Sequence, residues 1–222
     1  MSDVVLYDYW RSSAAYRVRI ALNTLGIGYE RVEIDLLSGE HKRDEHLARN
    51  PQGLVPALEL DGIVLTQSLA IIEYLNETRA EANFLPADAR GRARVRRLSY
   101  AIAMEIHPIC NVSVAAHIAE LTGGGEQTRQ DWMRRFIGNG LAAFETMLAA
   151  PLTGTFCHGD TPTMADFCLI PQLYNADRWG VSMTAFPKCA EIGRQCSLLP
   201  TFAAAHPDAV KPRKKVDRKL DR

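Results

Sequence analysis

The sequence predicts a small α/β domain followed by an all-helical domain, and three observations lead to this prediction. Over the first eighty residues, short apolar runs alternate with helical periods in the order β-α-β-α-β-β-α. Beyond a linker that contains Asn83 and Pro86, only helical periodicity follows. The chain has 222 residues, which is enough for two modest domains that each bury a core. We expect an α/β domain over residues 1–80, a linker over 81–87, a helical domain over 88–210 and a basic tail over 211–222.

The first domain begins with a buried strand over residues 4–9, which leads directly into an amphipathic helix over 13–25. In this helix Val18, Ala21 and Leu22 recur at helical spacing, and Gly26 provides a stop. Such an order of elements predicts a mixed sheet with helices on its faces. The later elements are a strand over 29–34, a short polar helix over 41–49, a hairpin of 54–60 and 63–65 around Asp61-Gly62, and a helix over 68–77 that begins at an N-cap Ser68.

The second domain is predicted to contain helices alone. The first is long, spans residues 89–120 and is kinked by Pro108. Thr163 and Asp166 form a capping box at the start of a later helix, which is a structural role. A glycine loop over 123–125 is followed by helices over 129–149, 163–178, 188–197 and 200–206.

Composition limits the classes of partner. The formal net charge is zero, so no overall field favours nucleic acid or an anionic membrane, and we predict neither as a partner. Residues 211–222 carry seven basic and two acidic side chains, which gives this tail a charge of +5 and the rest of the chain −5. We interpret the tail as a solvated, disordered terminus, although a nucleic-acid arm is conceivable.

The five cysteines are odd in number and form no C-x-x-C pair. No signal peptide or long apolar span is evident, so the reducing cytoplasm is the expected location. None of the cysteines lies near the serine motif described next, so we expect buried structural thiols. We predict no metal site.

The most informative motif is Arg11-Ser12-Ser13, where the first strand ends and the first helix begins. Unpaired N–H groups and the positive end of the helix dipole point outward at such a position. It can hold an anion, including a thiolate. A serine pair that only caps the helix is the alternative interpretation.

Two further positions in the first domain suit an extended, peptide-like ligand. The proline of Val55-Pro56 belongs at a strand start, an edge or a cis bond. A cis bond would turn the Val55 N–H and C=O away from the sheet, where they can pair with such a ligand, whereas a trans proline would simply begin a strand. Gln67-Ser68 precedes the last helix of the domain, and its amide and hydroxyl can hold a ligand carboxylate.

These motifs carry a resemblance to a known family. Over roughly residues 4–210 the chain resembles the cytosolic glutathione transferases and, more narrowly, their zeta class, to which the maleylacetoacetate isomerases belong. The matching pieces are Arg11-Ser12-Ser13, the run from Arg17 to Leu22, Asn50-Pro51, Val55-Pro56, the run from Gln67 to Leu75, and the run from Gly159 to Asp166. The resemblance implies a thioredoxin-like first domain and a helical second domain.

It also implies glutathione as the cofactor. Ser12, assisted by Ser13, would donate a hydrogen bond to the glutathione sulfur. The γ-glutamyl end would be held by Gln67 and Ser68, the cysteinyl backbone by Val55 with Pro56, and the glycine carboxylate by His41.

The implied reaction is the cis–trans isomerisation of maleylacetoacetate to fumarylacetoacetate in tyrosine and phenylalanine breakdown. Arg11 and Arg178 are the candidates for stabilising the developing enolate, with Arg11 as a catalytic residue, and for binding the substrate carboxylates, because planar guanidinium groups suit carboxylates. A solvated cation at a helix end is the alternative for Arg178. His107 and Asn111, spaced i and i+4, should share a helix face above the sheet and line the acceptor pocket. A buried histidine that satisfies carbonyls freed by the proline kink is the alternative for His107.

Two other functions fit the same sequence. One is a sibling enzyme, either maleylpyruvate isomerase or a broad glutathione transferase and peroxidase. Val112 and Ser113 stand where maleylpyruvate isomerases carry further arginines, which favours maleylacetoacetate. The other is a non-catalytic thioredoxin-like binding module. Ala14 replaces the cysteine of the zeta pattern, and activity then depends on the sulfur of glutathione. The family dimerises, so a homodimer is expected.

Overall fold

The computed structural model describes residues 3–212. Within that range the chain forms four strands and ten α-helices, and the predicted change from alternating elements to helices alone is confirmed. In chain order they are β1 (Val5–Asp8), α1 (Ser13–Thr24), β2 (Glu30–Glu33), α2 (Asp44–Arg49), β3 (Ala57–Leu60), β4 (Ile63–Thr66), α3 (Ser68–Thr78), α4 (Ala89–Tyr100), α5 (Val112–Thr122), α6 (Gly125–Met147), α7 (Met164–Arg178), α8 (Pro187–Ser197), α9 (Pro200–Ala205) and α10 (Pro207–Val210). Short 3₁₀ helices at Glu40–Lys42 and Met183–Ala185 and a π-helix at Ala101–Ile106 complete the order.

The strands form one mixed sheet in the order β2-β1-β3-β4. β1 is parallel to β2 and antiparallel to β3, so Leu6 pairs with Arg31 on one side and with Leu58 on the other. A parallel pair needs a crossover connection, which α1 supplies. β3 and β4 form the hairpin that was predicted around Asp61 and Gly62. The predicted mixed sheet is therefore confirmed.

Helices cover both faces of the sheet. Successive strand residues point to opposite faces, and Leu6 and Leu58 face the main core, to which α1, α3 and the helical domain contribute. Tyr7 and Ala57 face a smaller cluster on the other side. On that side the Arg49 guanidinium of α2 lies 4.3 Å from the centre of the Tyr7 ring. The carboxyl end of β1 leads into the start of α1.

The buried part of α1 contains two arginines, Arg17 and Arg19. Arg19 is fully buried, and its Nη1 donates to both carboxylate oxygens of Asp8, at 2.7 and 2.8 Å. Its Nε and Nη2 donate to the carbonyls of Ala205 and Trp10, both at 3.0 Å. Arg19 therefore connects the end of β1, the chain just before α1 and the end of α9.

The prediction of one kinked helix over residues 89–120 is wrong. α4 ends at Tyr100, the chain continues as a π-helix, and a turn follows before α5 begins. Pro108 lies in that turn and cannot supply the N–H that a continuing helix needs. Asn111 then starts a new helix, because its side chain accepts from the Val114 N–H at 2.9 Å and donates to the Pro108 carbonyl at 2.8 Å. The i, i+4 spacing predicted that His107 and Asn111 share a helix face. This prediction is wrong, because the two residues belong to different elements.

Three smaller expectations also need correction. The polar helix over 41–49 is divided by the extended backbone of Arg43, so that only Asp44–Arg49 is α-helical. α6 begins at Gly125 rather than at 129, directly after a short glycine turn. Ser68 is the first helical residue of α3, and Gln67 occupies the N-cap without a side-chain capping bond.

The helical domain packs onto α1 through one continuous core. Phe167 of α7 contacts the rings of Phe84 and Phe202, with centroid separations of 4.9 and 5.8 Å, and so connects the linker with α9. The predicted capping box is confirmed, since Thr163 and Asp166 exchange hydrogen bonds at the start of α7. This packing fixes α7 beside α1.

The predicted basic tail covers residues 211–222, and from residue 213 onward it lies outside the described range.

All five cysteines are buried and unpaired, as predicted, and burial raises the pKa of each of their thiols. Among the helices of residues 3–212, none is both long and apolar enough to cross a membrane.

Candidate functional site

A cavity of about 850 Å³ lies between the first domain and the turn that follows the π-helix. The start of α1, the chain before β3, the start of α3 and the turn before α5 form its walls. The structure brings together six residues that were predicted to bind a ligand: Val55, Pro56, Gln67, Ser68, His107 and Asn111. Ala14 and Arg17 of α1 also line it.

The start of α1 adjoins this cavity, because Ala14 lines it, whereas Ser12 and Ser13 do not line it. Ser12 is the N-cap, and its Oγ accepts from the Ala15 N–H at 3.2 Å. The hydroxyl hydrogen of Ser12 therefore remains available to a ligand. Within residues 3–212, the N–H groups of Ser13 and Ala14 have no acceptor. One hydroxyl and two amide donors thus meet at the positive end of a twelve-residue helix.

Val55 presents free main-chain groups to the cavity. The Val55-Pro56 peptide bond is cis. Pairing between β1 and β3 begins only at Ala57, and the N–H and C=O of Val55 make no hydrogen bond with any other described residue. The preceding carbonyl of Leu54 is held by His46 Nε2 at 2.9 Å, which fixes the position of this segment. An extended ligand can therefore add to the chain at Val55 in the manner of a strand.

The start of α3 is open and strained. Gln67 has φ 68° and ψ 108°, a conformation that costs a residue with a side chain about 1–3 kcal/mol. Its amide donates to Gln52 Oε1 at 2.7 Å instead of capping the helix. The Ile71 N–H bonds to the Gln67 carbonyl, whereas the N–H groups of Ser68, Leu69 and Ala70 have no acceptor in the described chain. Such strain at a cavity wall is typical of a ligand site.

Arg17 is the site residue that sequence reasoning missed. Its side chain is 2% exposed, and its Nη1 donates to Ser68 Oγ at 3.2 Å. Nε and Nη2 are buried without a partner in the part of the chain that the structure describes. Burial lowers the pKa of the guanidinium. An arginine among the apolar residues of α1 is a sequence signal for a buried cation, but it does not show whether that cation is paired.

His107 and Asn111 line the opposite wall from adjoining elements. Burial, with a smaller contribution from the charge of Arg17, lowers the pKa of His107 to about 3. His107 is therefore neutral at physiological pH and offers hydrogen bonds rather than charge. Asn111 uses its side chain to cap α5 and reaches the cavity from that position.

Arg11 and Arg178 form a second, cationic part of the site. Neither lines the cavity, but the charge of Arg11 contributes, after desolvation, to a lowered pKa of Arg178. The Arg11 guanidinium lies 5.3 Å from the centre of the Trp10 ring and donates to the Tyr9 hydroxyl at 3.4 Å. Among residues 3–212 neither arginine has a carboxylate partner, so two nearby cations face solvent without compensation.

His41 lies in the short 3₁₀ helix beside the loop that leads to Val55. Its carbonyl is 3.0 Å from the position that a Cβ on Gly53 would occupy, so the two segments are in close contact. Desolvation and the neighbouring Lys42 lower the pKa of His41. Its imidazole is not among the groups that line the cavity, and its role as a ligand contact stays a prediction.

Comparison with known proteins gives consistent matches. The family models for the N-terminal and C-terminal domains of glutathione S-transferase match residues 2–77 and 126–192. The chain is 60% identical over 211 residues to a maleylacetoacetate isomerase from Rhizobium meliloti (strain 1021), which covers 95% of this chain and 99% of that protein.

Solved structures give the same result. One is the holo structure of a maleyl pyruvate isomerase described as a bacterial zeta-class glutathione S-transferase, with a TM-score of 0.90 and 41% identity over 92% of this chain and 97% of that one. Another is a maleylacetoacetate isomerase from Methylobacterium extorquens AM1 with bound malonate and GSH, with a TM-score of 0.89 and 41% identity over the same shares of the two chains.

Proposed function

The chain belongs to the glutathione S-transferase family, in its zeta class, and we propose that it is a glutathione-dependent isomerase that converts maleylacetoacetate to fumarylacetoacetate. The observation that carries the proposal is the free Ser12 hydroxyl at the open start of α1, beside a cavity with further unpaired donors. Tyrosine and phenylalanine breakdown is the corresponding physiological setting.

The residues of the cavity fit glutathione. This tripeptide has a carboxylate at each end, a backbone that can pair in extended form, and one thiol. The open start of α3 and Gln67 suit the γ-glutamyl end, and the free main-chain groups of Val55, next to Pro56, suit the cysteinyl residue. His41 is assigned to the glycine carboxylate. A pure scaffold would need none of these unpaired donors.

When bound, glutathione would supply a sulfur nucleophile for reversible addition to the cis double bond, which allows rotation about the bond before the sulfur is eliminated. Ser12 stabilises the thiolate by donating a hydrogen bond, and the N–H groups of Ser13 and Ala14 add the positive end of the helix dipole. A charge-assisted hydrogen bond contributes about 1.5–3 kcal/mol, which lowers a thiol pKa by about 1–2 units. A thiol with an ordinary pKa of about 8.5 then has a substantial thiolate fraction near neutral pH.

Arg11 and Arg178 bind the substrate carboxylates and stabilise the negative charge that develops on a substrate oxygen. The charge of Arg11 helps to lower the pKa of Arg178, so the two guanidinium groups are near each other. Neither group forms an ion pair with a carboxylate of residues 3–212. An anionic substrate supplies the missing charge. Neutral His107 and Asn111 complete the acceptor pocket as hydrogen-bonding groups.

Ala14 does not interrupt this mechanism. It replaces the cysteine of the zeta pattern and lines the cavity, where its N–H is one of the open donors. The five cysteines of the chain are buried, and none of them lines the cavity. Catalysis therefore relies on the sulfur of glutathione.

A second copy of the chain is the proposed partner, and the cytoplasm the proposed location. Ile63 and Val64 on the edge strand β4 are each 46% exposed, and Met104 in the π-helix is 55% exposed, which provides apolar surface for a homodimer. Five unpaired cysteines agree with a reducing compartment. We retain the division into residues 1–80 for glutathione and 88–210 for the helical domain as part of the proposal.

Turnover of maleylacetoacetate and of maleylpyruvate, each measured with and without glutathione, tests the proposal. We expect glutathione-dependent turnover with a higher kcat/KM for maleylacetoacetate. The alternative, maleylpyruvate isomerase, is favoured by the structural similarity to such an enzyme and would reverse that ratio. Turnover without glutathione, or none with either substrate, would refute the isomerase proposal.

A further inference from the structure

The charges of the chain are divided unequally between its body and its C-terminal segment, residues 211–222. Residues 1–210 have 19 basic and 24 acidic side chains, which gives a net charge of −5. The C-terminal segment has seven basic and two acidic side chains, which gives +5. A body of negative charge repels a substrate that carries two carboxylates. The place where the basic segment joins the body therefore affects how such a substrate approaches.

The end of the folded body is fixed beside α1 and α7. The His206 ring lies edge-on to the rings of Tyr16 and Tyr174, with centroid separations of 6.0 and 5.2 Å. The next residue, Pro207, is buried at the start of α10. The C-terminal segment therefore begins at one defined place, directly after the end of α10 at Val210.

Lys211 shows that this place adjoins the cationic part of the site. Its Nζ lies 4.9 Å from the centre of the Trp10 ring, and the Arg11 guanidinium lies 5.3 Å from the centre of the same ring. The two cations are therefore no more than about 10 Å apart. The charge of Arg11 in turn helps to lower the pKa of Arg178. The C-terminal segment thus begins beside the two arginines that are assigned to the substrate carboxylates.

The charges described at this place nearly balance. Lys211 and the two arginines provide three positive charges. Burial raises the pKa of the adjoining Tyr174, and the carboxylates of Asp208 and Asp177 add to that increase, so two negative charges are also near. Residues 212–222 contribute six basic and two acidic side chains more. A strongly positive field at this end of the molecule therefore depends on the C-terminal segment.

We propose that the charge of the C-terminal segment attracts the dianionic substrate to Arg11 and Arg178. Charge of one sign beside a site raises the association rate of an oppositely charged ligand by about 10–10³ at low ionic strength. The attraction acts during approach, so it lowers KM and leaves kcat unchanged. The proposal rests on the proposed function, since it needs an anionic substrate at the two arginines. Nucleic acid is another polyanion, but a position beside the substrate arginines favours the substrate.

Steady-state kinetics at two ionic strengths, with saturating glutathione, tests the proposal. The screening length is about 30 Å at about 0.01 M and about 3 Å at about 1 M. The segment variant combines Arg213→Gln, Lys214→Gln and Lys215→Gln in the full chain. We expect its kcat/KM for maleylacetoacetate to be about threefold to tenfold below that of the natural protein at the low ionic strength. At the high ionic strength the two proteins should have equal kcat/KM, and kcat should be equal throughout.

A matched surface variant removes the same amount of charge elsewhere. It combines Arg90→Gln, Lys188→Gln and Arg194→Gln, at positions that are exposed on α4 and α8. We expect its kcat/KM to remain close to that of the natural protein at both ionic strengths, because its changes are not at the end of α10.

The charge of the substrate provides a second control, since electrostatic work is proportional to charge. A cis analogue that ends in a methyl ketone lacks the second carboxylate and is a monoanion. Its kcat/KM in the segment variant should fall by only about the square root of the factor found for the diacid.

Four results would overturn the proposal. The first is equal kcat/KM in the natural protein and the segment variant at low ionic strength, including the case in which the variant loses binding to duplex DNA instead. The second is an equal loss in the surface variant, and the third is an equal loss for the monoanion and the diacid. The fourth is a decrease in kcat with unchanged KM. Absence of glutathione-dependent turnover in the natural protein would instead refute the proposed function, and this proposal with it.

Discussion

Replacing Arg19 with methionine should strongly destabilise the protein, because the buried carboxylate of Asp8 would keep only its longer contact with the partly exposed Arg31, at 3.4 Å. Both side chains are fully buried, and their nitrogen and oxygens are 2.7 and 2.8 Å apart. Removal of one partner of a buried ion pair costs about 3–5 kcal/mol. In a chain of this size each kcal/mol shifts the melting temperature by about 2–4 °C, so we expect a decrease of about 6–20 °C.

A double variant identifies the cause of that loss. Asp8→Leu combined with Arg19→Met removes both charges and should recover most of the stability. It should remain about 1–2 kcal/mol less stable than the natural protein, because the carbonyls of Trp10 and Ala205 lose their donors.

Urea unfolding of the natural protein and the single and double variants measures these differences, with the exposed Arg194→Met as the control. A double variant no more stable than Arg19→Met, or a loss below about 1 kcal/mol for the single change, would refute this reasoning.

Two further predictions concern the cavity wall. His107 has a pKa lowered from 6.5 to about 3, so below about pH 6.5 the unfolded chain binds a proton that the folded protein does not. Stability should therefore fall by about 1.6 kcal/mol between pH 6.5 and 5. The urea midpoints of His107→Gln should show a smaller pH dependence than those of the natural protein, with His117→Gln as an exposed control. Gln67 has a φ of 68°, which glycine adopts without strain, so Gln67→Gly should raise the free energy of unfolding by about 1 kcal/mol. The same change should lower the affinity for glutathione, measured by calorimetry, several-fold. Gln67→Ala should lose the same affinity without the gain in stability.

Each of these has a clear contrary result. Equal pH dependence in the natural protein and in His107→Gln would show that this imidazole is not held neutral by burial. Equal stability of Gln67→Gly and Gln67→Ala would show that the backbone at this position carries no strain.

The sequence was sufficient for the order of elements and for most of the cavity. Periodicity changes from two to about 3.6 wherever a strand gives way to a helix, and Ser12, Val55 and Gln67 mark the ends of those elements. Such signals predict the structure correctly because they depend on residues that are close in the sequence. Six of the predicted site residues consequently line one cavity, whereas Arg11, Ser12, Ser13, His41 and Arg178 do not line it.

Sequence reasoning failed where distant contacts decide the structure. Whether an arginine is paired depends on what packs against it, so nothing local distinguished Arg17 from Arg19, although one has a carboxylate and the other does not. Pro108 predicted a kink in one long helix, but the helix ends there. Asn111 then caps the start of a new helix, α5. Ser68 has the side chain of an N-cap, but its hydroxyl accepts a hydrogen bond from Arg17 instead.

The pKa of the thiol of bound glutathione, followed by its thiolate absorbance across pH, decides whether Ser12 and the start of α1 activate a sulfur. In the natural protein we expect a value about 1–2 units below the ordinary 8.5 or so. Ser12→Ala should raise the thiol pKa most of the way back to the ordinary value. Ser182→Ala removes a serine that caps a short 3₁₀ helix and should leave the thiol pKa unchanged. An equal thiol pKa in the natural protein and in Ser12→Ala, with glutathione bound to both, would contradict the mechanism.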